Sequence, residues 1–187
     1  MAQTKILLDT NSYLRLAQSI HPLLGISFGT ENFTLYIHNE IELELNRSSR
    51  LKTQFSWVES AEYSTNRKKK LQIPKLSKDN IENSYDYIWQ YQKDAKLQLS
   101  REDIYCISTA LEMNILLVTD DQNMILACKE FEVKVCSTLE LLKLMFDKKH
   151  IDSEKVVEII EYWKYENDKP ANFNKELDKY FSKLLRK

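Results

Sequence analysis

Two short, unbroken apolar runs, each closing on an acid, constrain this chain more than any other feature. Ile6-Leu7-Leu8 runs into Asp9, and Ile115-Leu116-Leu117-Val118 runs through Thr119 into Asp120 and Asp121. A strand with one wetted face alternates apolar and polar residues. A strand with no wetted face reads as a continuous apolar run, the mark of a parallel sheet covered by helices on both faces. Phe33-Thr34-Leu35-Tyr36-Ile37 and Val133-Lys134-Val135-Cys136 supply two further strand candidates. Helical spacing fills the segments between them, at residues 12–19, 40–47, 51–63, 79–96, 101–114, 123–130 and 138–146. Strands alternating with helices of this length make βαβ crossovers, so the fold class is α/β, with helices layered on a central parallel sheet.

Only two glycines occur in the 187 residues, and no glycine-rich loop follows any strand. That excludes the phosphate-cradling P-loop and the dinucleotide fold, both of which need glycine where backbone approaches phosphate. Cys106, Cys128 and Cys136 sit among apolar neighbours without metal-type spacing and read as buried thiols. His21, His38 and His150 are scattered, so a zinc site is not expected. The longest apolar run near the N-terminus is three residues, too short for a signal peptide or a membrane span. The expectation is a soluble, cytoplasmic protein with no membrane contact. Residues 1–149 read as one domain and 150–187 as a helical extension. In the extension, Val156, Ile159, Ile160 and Trp163 mark one amphipathic helix and Phe173, Leu177, Tyr180, Phe181 and Leu184 a second, broken apart at Asp168-Lys169-Pro170.

Sites in parallel sheets form beyond the carboxyl ends of the strands. Asp9, Asp120 and Asp121 lie there by position. Glu44 stands about one turn into the helix that starts beyond the second strand. Asp103 opens the helix leading into the 115–118 run. At ~1.5 Å per helical residue and ~3.3 Å per strand residue, that helix and strand match at roughly 18 and 16 Å, so Asp103 returns to the same edge. Clustered carboxylates repel one another, and a hard divalent cation removes the repulsion. Each acid also has an ordinary reading. Asp9-Thr10-Asn11 suits an Asx turn, Ser100-x-x-Asp103 a capping box, Asp120 a cap on the next helix, and Glu44 a solvated helical position.

These segments resemble the PIN-domain superfamily of nucleases, and within it the VapC-type toxin ribonucleases, over residues 4–147. The likeness rests on Ile6-Leu7-Leu8-Asp9-Thr10-Asn11, Ile41-Glu42-Leu43-Glu44-Leu45, Asp103-Ile104-Tyr105 continuing to Ala110-Leu111, and Leu117-Val118-Thr119-Asp120-Asp121. The resemblance implies a three-layer α/β/α PIN-like fold and metal-dependent cleavage of phosphodiester bonds, usually in RNA. It implies Mg²⁺ or Mn²⁺ held by Asp9, Glu44, Asp103 and Asp121, with Asp120 assisting and Asn11 and Thr119 in support. Glu40, one turn before Glu44, is the alternative at the second position. A toxin of a toxin–antitoxin or defence system would also meet a protein inhibitor (an antitoxin), and a homodimer is a further expectation. The other readings are a non-catalytic PIN-fold RNA-binding scaffold and a structure-selective DNA nuclease.

Net charge is −1, so any grip on nucleic acid has to be local. Residues 66–78 carry Arg67, Lys68, Lys69, Lys70, Lys75 and Lys78 and no acid, and a proline makes the stretch a loop. It reads either as a phosphate-binding surface acting by counterion release or as a solvated loop. Tyr85, Tyr87, Trp89 and Tyr91 read as base-stacking residues, or as core or dimer contacts. The C-terminal stripes pack on the domain or form a partner interface.

Overall fold

The computed structural model describes residues 3–185. Strand β1 (Thr4–Leu8) is followed at once by α1 (Thr10–Ala17), with Asp9 as its cap. A short β2 (Ser27–Phe28) turns back into β3 (Phe33–Ile37). Helices α2 (Asn39–Arg47) and α3 (Ser49–Gln54), a 3₁₀ turn (Ser56–Glu59) and α4 (Ala61–Arg67) come next. Two long helices, α5 (Lys75–Asp94) and α6 (Arg101–Met113), lead to β4 (Leu116–Val118). The chain continues through α7 (Gln122–Glu130), β5 (Val135–Cys136) and α8 (Thr138–Asp147) to α9 (Ser153–Tyr165) and α10 (Phe173–Leu185).

The sheet runs β2-β3-β1-β4-β5. β3, β1, β4 and β5 are parallel neighbours, while β2 pairs antiparallel with β3. The antiparallel edge strand departs from the all-parallel expectation. Its two residues are too few to carry a periodic signal, and a tight turn with left-handed Gly29 (φ 69) and Asn32 (φ 52) joins it to β3. With this strand order, the right-handed rule for parallel crossovers assigns α1 to one face of the sheet and α6 and α7 to the other. Ile6, Leu7 and Leu8 in the middle strand are fully buried, as a strand covered on both sides must be.

Local chemistry moves some boundaries. The helix expected over 51–63 is divided into α3, the 3₁₀ turn and α4: Ser48 caps α3 by accepting from the Leu51 N–H, and the backbone turns extended at Ser60 (φ −64, ψ 149), whose hydroxyl donates back to the Trp57 carbonyl, before α4 starts. Pro74 does not extend the 66–78 loop; it stands at the start of α5, where its fixed φ is compatible with a first turn, so the helix begins before residue 79. Helices α9 and α10 pack on the domain: Val156, Ile159, Ile160, Trp163, Phe173 and Phe181 belong to the same buried cluster as the sheet. Cys106 and Cys128 are buried free thiols and Cys136 is half-buried. Among the described residues, no helix is long and apolar enough to cross a membrane.

Candidate functional site

Register sets the site. Leu8 pairs with Ile37 on one side and Val118 on the other, and Val118 pairs with Cys136. The residues that follow, Asp9, His38, Thr119 and Ser137, therefore leave the sheet abreast at one edge. α6 starts at that edge and runs back along the sheet. A left-handed Asn114 (φ 48) turns the chain into β4, so Asp103, in the first turn of α6, returns to the same end as Asp121.

Each acid is held by a local bond. Asp9 is 3% exposed and its Oδ1 accepts from the Ser12 N–H at 2.6 Å, capping α1. Asp103 and Ser100 form a complete capping box at the start of α6. Asp121 accepts from the Met124 N–H at 2.9 Å and caps α7. Glu44 is half-buried and accepts from the Thr10 hydroxyl at 2.7 Å. The capping reading of Asp103 holds, and the helix start that it caps lies at the same edge as Asp121.

Burial raises the pKa of three of these acids. The Asp9 carboxyl is pushed up to about 6 by desolvation, against the pull of Thr119 and Ser12 hydrogen bonds, and Asp120 pushes the same way. Desolvation raises Glu44, and Glu102 and Asp103 add repulsion. Desolvation raises Asp103, with Asp121 and Glu102 adding repulsion. The buried Cys106 thiol is raised by burial, and the fields of Asp103, Asp9 and Glu44 add to it. Glu40 is different: Arg101 pairs with it at 3.3 Å. Of the two candidates on α2, Glu44 is the one left without a cation at ion-pair distance among the described residues.

Two residues depart from their expected roles. The sequence assigns Asp120 an assisting place in the ligand set, but its carboxylate turns inward. It accepts from the Thr138 N–H at 3.1 Å and from the Thr138 hydroxyl, and it pairs with Arg15 at 3.2 Å. The sequence places Arg67 on a nucleic-acid surface, yet it is 4% exposed. Its guanidinium is spent on Glu42 and on the Tyr13 hydroxyl, so it cannot meet phosphate. The rest of the basic stretch is divided. Lys68, Lys69, Lys70 and Lys75 are exposed, but the Lys69 stem rests on left-handed Gly25, where a Cβ would stand 2.9 Å from its own. Lys78 lines a cleft of about 180 Å³ with His38, Glu40, Glu82 and Tyr105, beside the acidic edge.

Asn11 is exposed on the first turn of α1, and Thr119 is fully buried, accepting from the Asp121 N–H at 3.1 Å. The aromatic residues of α5 divide by face. Tyr85 packs at a tilt against Tyr105 with centroids 4.4 Å apart and Tyr91 packs edge-on to Phe131, while Tyr87 is 70% exposed. Sequence reading missed Thr10 as a partner of Glu44, Arg101 as a cation at this edge, and Arg15 as a partner of Asp120. The last pair is 105 positions apart, beyond any local pattern.

The donors are all oxygen, Asp9, Glu44 and Asp103 are desolvated, and Asp103 lies in the field of Asp121, which suits a hard divalent cation. Among the described residues, no three acidic, histidine or cysteine side chains stand close enough to enclose one ion. A hard divalent cation at such an edge would be held by one or two carboxylates with water completing its sphere, not by an all-protein cage.

No family model matches the chain, and no curated protein does. Among solved structures, FitAcB from Neisseria gonorrhoeae is similar at 18% identity, over 71% of this chain and 97% of that one, with a TM-score of 0.44. VapBC2 from Rickettsia felis, bound to a DNA fragment from their promoter, is similar at 19% identity, over 72% and 98%, with a TM-score of 0.41. The α/β assignment rests on this chain's own strand order and register.

Proposed function

We propose that this protein is a metal-dependent endoribonuclease that hydrolyses phosphodiester bonds at the edge formed by Asp9, Glu44, Asp103 and Asp121. One observation carries the reading. Three of these acids are desolvated with raised pKa values, and among the described residues none of the four has a Lys or Arg within ion-pair distance. Carboxylates buried without a counter-charge cost stability, and Mg²⁺ or Mn²⁺ is the counter-charge their chemistry suits. Such an ion, when bound, polarises a phosphate oxygen and lowers the pKa of an attacking water.

The chain's own residues have separable roles. Asp9, just past β1, and Asp103, in the first turn of α6, would hold the ion. Glu44, oriented by Thr10, and Asp121, oriented by its bond to the Met124 N–H, would hold and aim the water around it. Asn11 and Thr119 support them. Lys78 and Arg101, beside the edge, attract the polyanion and offset the low net charge. RNA as substrate, and a place as the toxin of a pair with a protein inhibitor, extend the reading from the four sequence segments that end on or carry these acids.

The test is cleavage of single-stranded and structured RNA, with a DNA control, in Mg²⁺ or Mn²⁺. Cutting that is lost in EDTA and in Asp9→Asn supports the reading. Cutting that survives both overturns it, and cutting of DNA alone reassigns the substrate. A second reading, a non-catalytic RNA-binding scaffold, is favoured by the use of Asp9, Asp103 and Asp121 as helix caps and by the lack of a closed three-ligand cluster among the described residues. RNA binding with neither cutting nor metal binding would select it.

A further inference from the structure

Arg15, on the second turn of α1, bridges two acids that lie far apart in the chain. One nitrogen reaches Asp120 at 3.2 Å and another reaches Asp168, in the connection between α9 and α10, at 3.1 Å. The Arg15 and Asp120 side chains are 14% and 6% exposed, so the pair is largely removed from water. α9 clamps the same helix twice more. Trp163 Nε1 donates to the Arg15 carbonyl at 3.0 Å, and the Tyr162 hydroxyl donates to Gln18 at 2.6 Å.

The direction of Asp120 matters because Asp121 follows it. Asp121 is extended (φ −75, ψ 125), and successive side chains on extended backbone point to opposite sides. With Asp120 drawn inward by Arg15 and Thr138, Asp121 turns outward, where it caps α7 and repels Asp103. A desolvated Asp120 without Arg15 would carry an uncompensated charge. It would then turn toward the acidic edge and compete there with Asp121.

We propose that Asp168 is a positioning residue for the carboxylate edge: by holding Arg15 it keeps Asp120 turned inward and Asp121 turned outward. The C-terminal helical pair is then part of the site and not an appendage. The functional consequence rests on the nuclease reading; the relay itself rests on the hydrogen bonds and ion pairs that join Asp168, Arg15, Asp120 and Thr138.

The test uses the full chain. Asp168→Asn is expected to weaken Mn²⁺ binding, measured by calorimetry, about tenfold, within the range seen when the supports of metal ligands are removed. Cleavage should fall with it, and Asp168→Glu should recover most of both. Glu166→Gln, exposed in the same connection, should behave as wild type. A double-mutant cycle of Asp120→Asn and Asp168→Asn, read by denaturant unfolding without metal, should be non-additive by about fivefold in the unfolding equilibrium constant.

An additive cycle, or Asp168→Asn binding Mn²⁺ as wild type does, overturns the relay. Equal losses in Glu166→Gln would reduce it to general packing and overturn it too. A wild-type protein that binds no Mn²⁺ overturns the nuclease reading, and the relay then stands or falls on the cycle alone.

Discussion

The Thr10 hydroxyl donates to Glu44 Oε2 at 2.7 Å, joining residues 34 positions apart at the start of α1 and the middle of α2. The bond fixes one carboxylate oxygen of Glu44 and leaves the other free to face the edge. Thr10→Val keeps the side-chain shape and removes the donor. It is expected to weaken Mn²⁺ affinity and cleavage by roughly 10-fold, while Thr10→Ser stays near wild type. Calorimetry alongside a cleavage assay checks this, and a valine variant indistinguishable from wild type would exclude Thr10 as the orienting group.

Asp9 has two duties that substitution can separate. Its side chain caps α1 through Ser12, and asparagine caps about as well as aspartate. Asp9→Asn is therefore expected to abolish cleavage while keeping the cap, and near pH 7 without metal to melt above wild type, because it removes an uncompensated buried charge. Asp9→Ala is expected to abolish cleavage and to be less stable than Asp9→Asn by about 1 kcal/mol through removal of the cap. Paired melting curves and cleavage assays decide it. If the asparagine variant cuts at the wild-type rate, Asp9 is a cap and nothing more.

Two buried groups at the sheet edge make stability respond to pH in opposite senses. Asp9 titrates near 6 in the fold against an ordinary 3.8, so the fold holds its proton more tightly than the unfolded chain does. That contribution is complete below about pH 4 and is lost as pH rises to about 6. His38 is lowered by burial from 6.5 to about 4, so the fold binds its proton less tightly. The fold consequently gains stability as pH rises from about 4 to 6.5. Each effect is worth about 3 kcal/mol, and they offset each other across the same window. Asp9→Asn removes the falling contribution alone. Its stability, measured by denaturant unfolding at intervals across that window, should climb more steeply with pH than the wild type's. An unchanged slope would mean that Asp9 is not the group desolvated at this edge.

The sheet and its acids were legible in the sequence for a single reason. A strand covered on both faces must be apolar throughout, so the break at Asp9 and at Thr119 marks where each strand ends. Position along the chain then gave the edge, and the lengths of α6 and β4 brought Asp103 back to it. What stayed hidden depends on partners distant in sequence. Arg67 sits in a basic run, and nothing local shows that Glu42 and Tyr13 will enclose it. Asp120 and Asp121 are adjacent and identical in type, and only Arg15 and Thr138 decide which of them turns inward. β2 was missed because two residues hold no period.

The basic stretch supplies the last contrast, between a buried cation and exposed ones. Arg67 is enclosed between α2 and α1, with Glu42 about a quarter exposed as its partner. Arg67→Ala would leave Glu42 and the Tyr13 hydroxyl without it. Because Glu42 keeps some water, the cost is expected at about 2 kcal/mol, below that of a fully buried pair. The salt dependence of RNA binding should stay unchanged. Lys68 and Lys70 are exposed, so replacing both with alanine should leave the melting temperature within a degree or two. If this loop meets the substrate, the double variant should also flatten the dependence of log affinity on log salt, by roughly 0.7 for each single-strand phosphate that is no longer neutralised. Unfolding curves and binding titrations at several salt concentrations measure both quantities. An Arg67→Ala protein as stable as wild type but with a reduced salt slope would return Arg67 to the substrate surface. A Lys68 and Lys70 variant with an unchanged slope would leave Lys78 and Arg101 as the cations nearest the acidic edge.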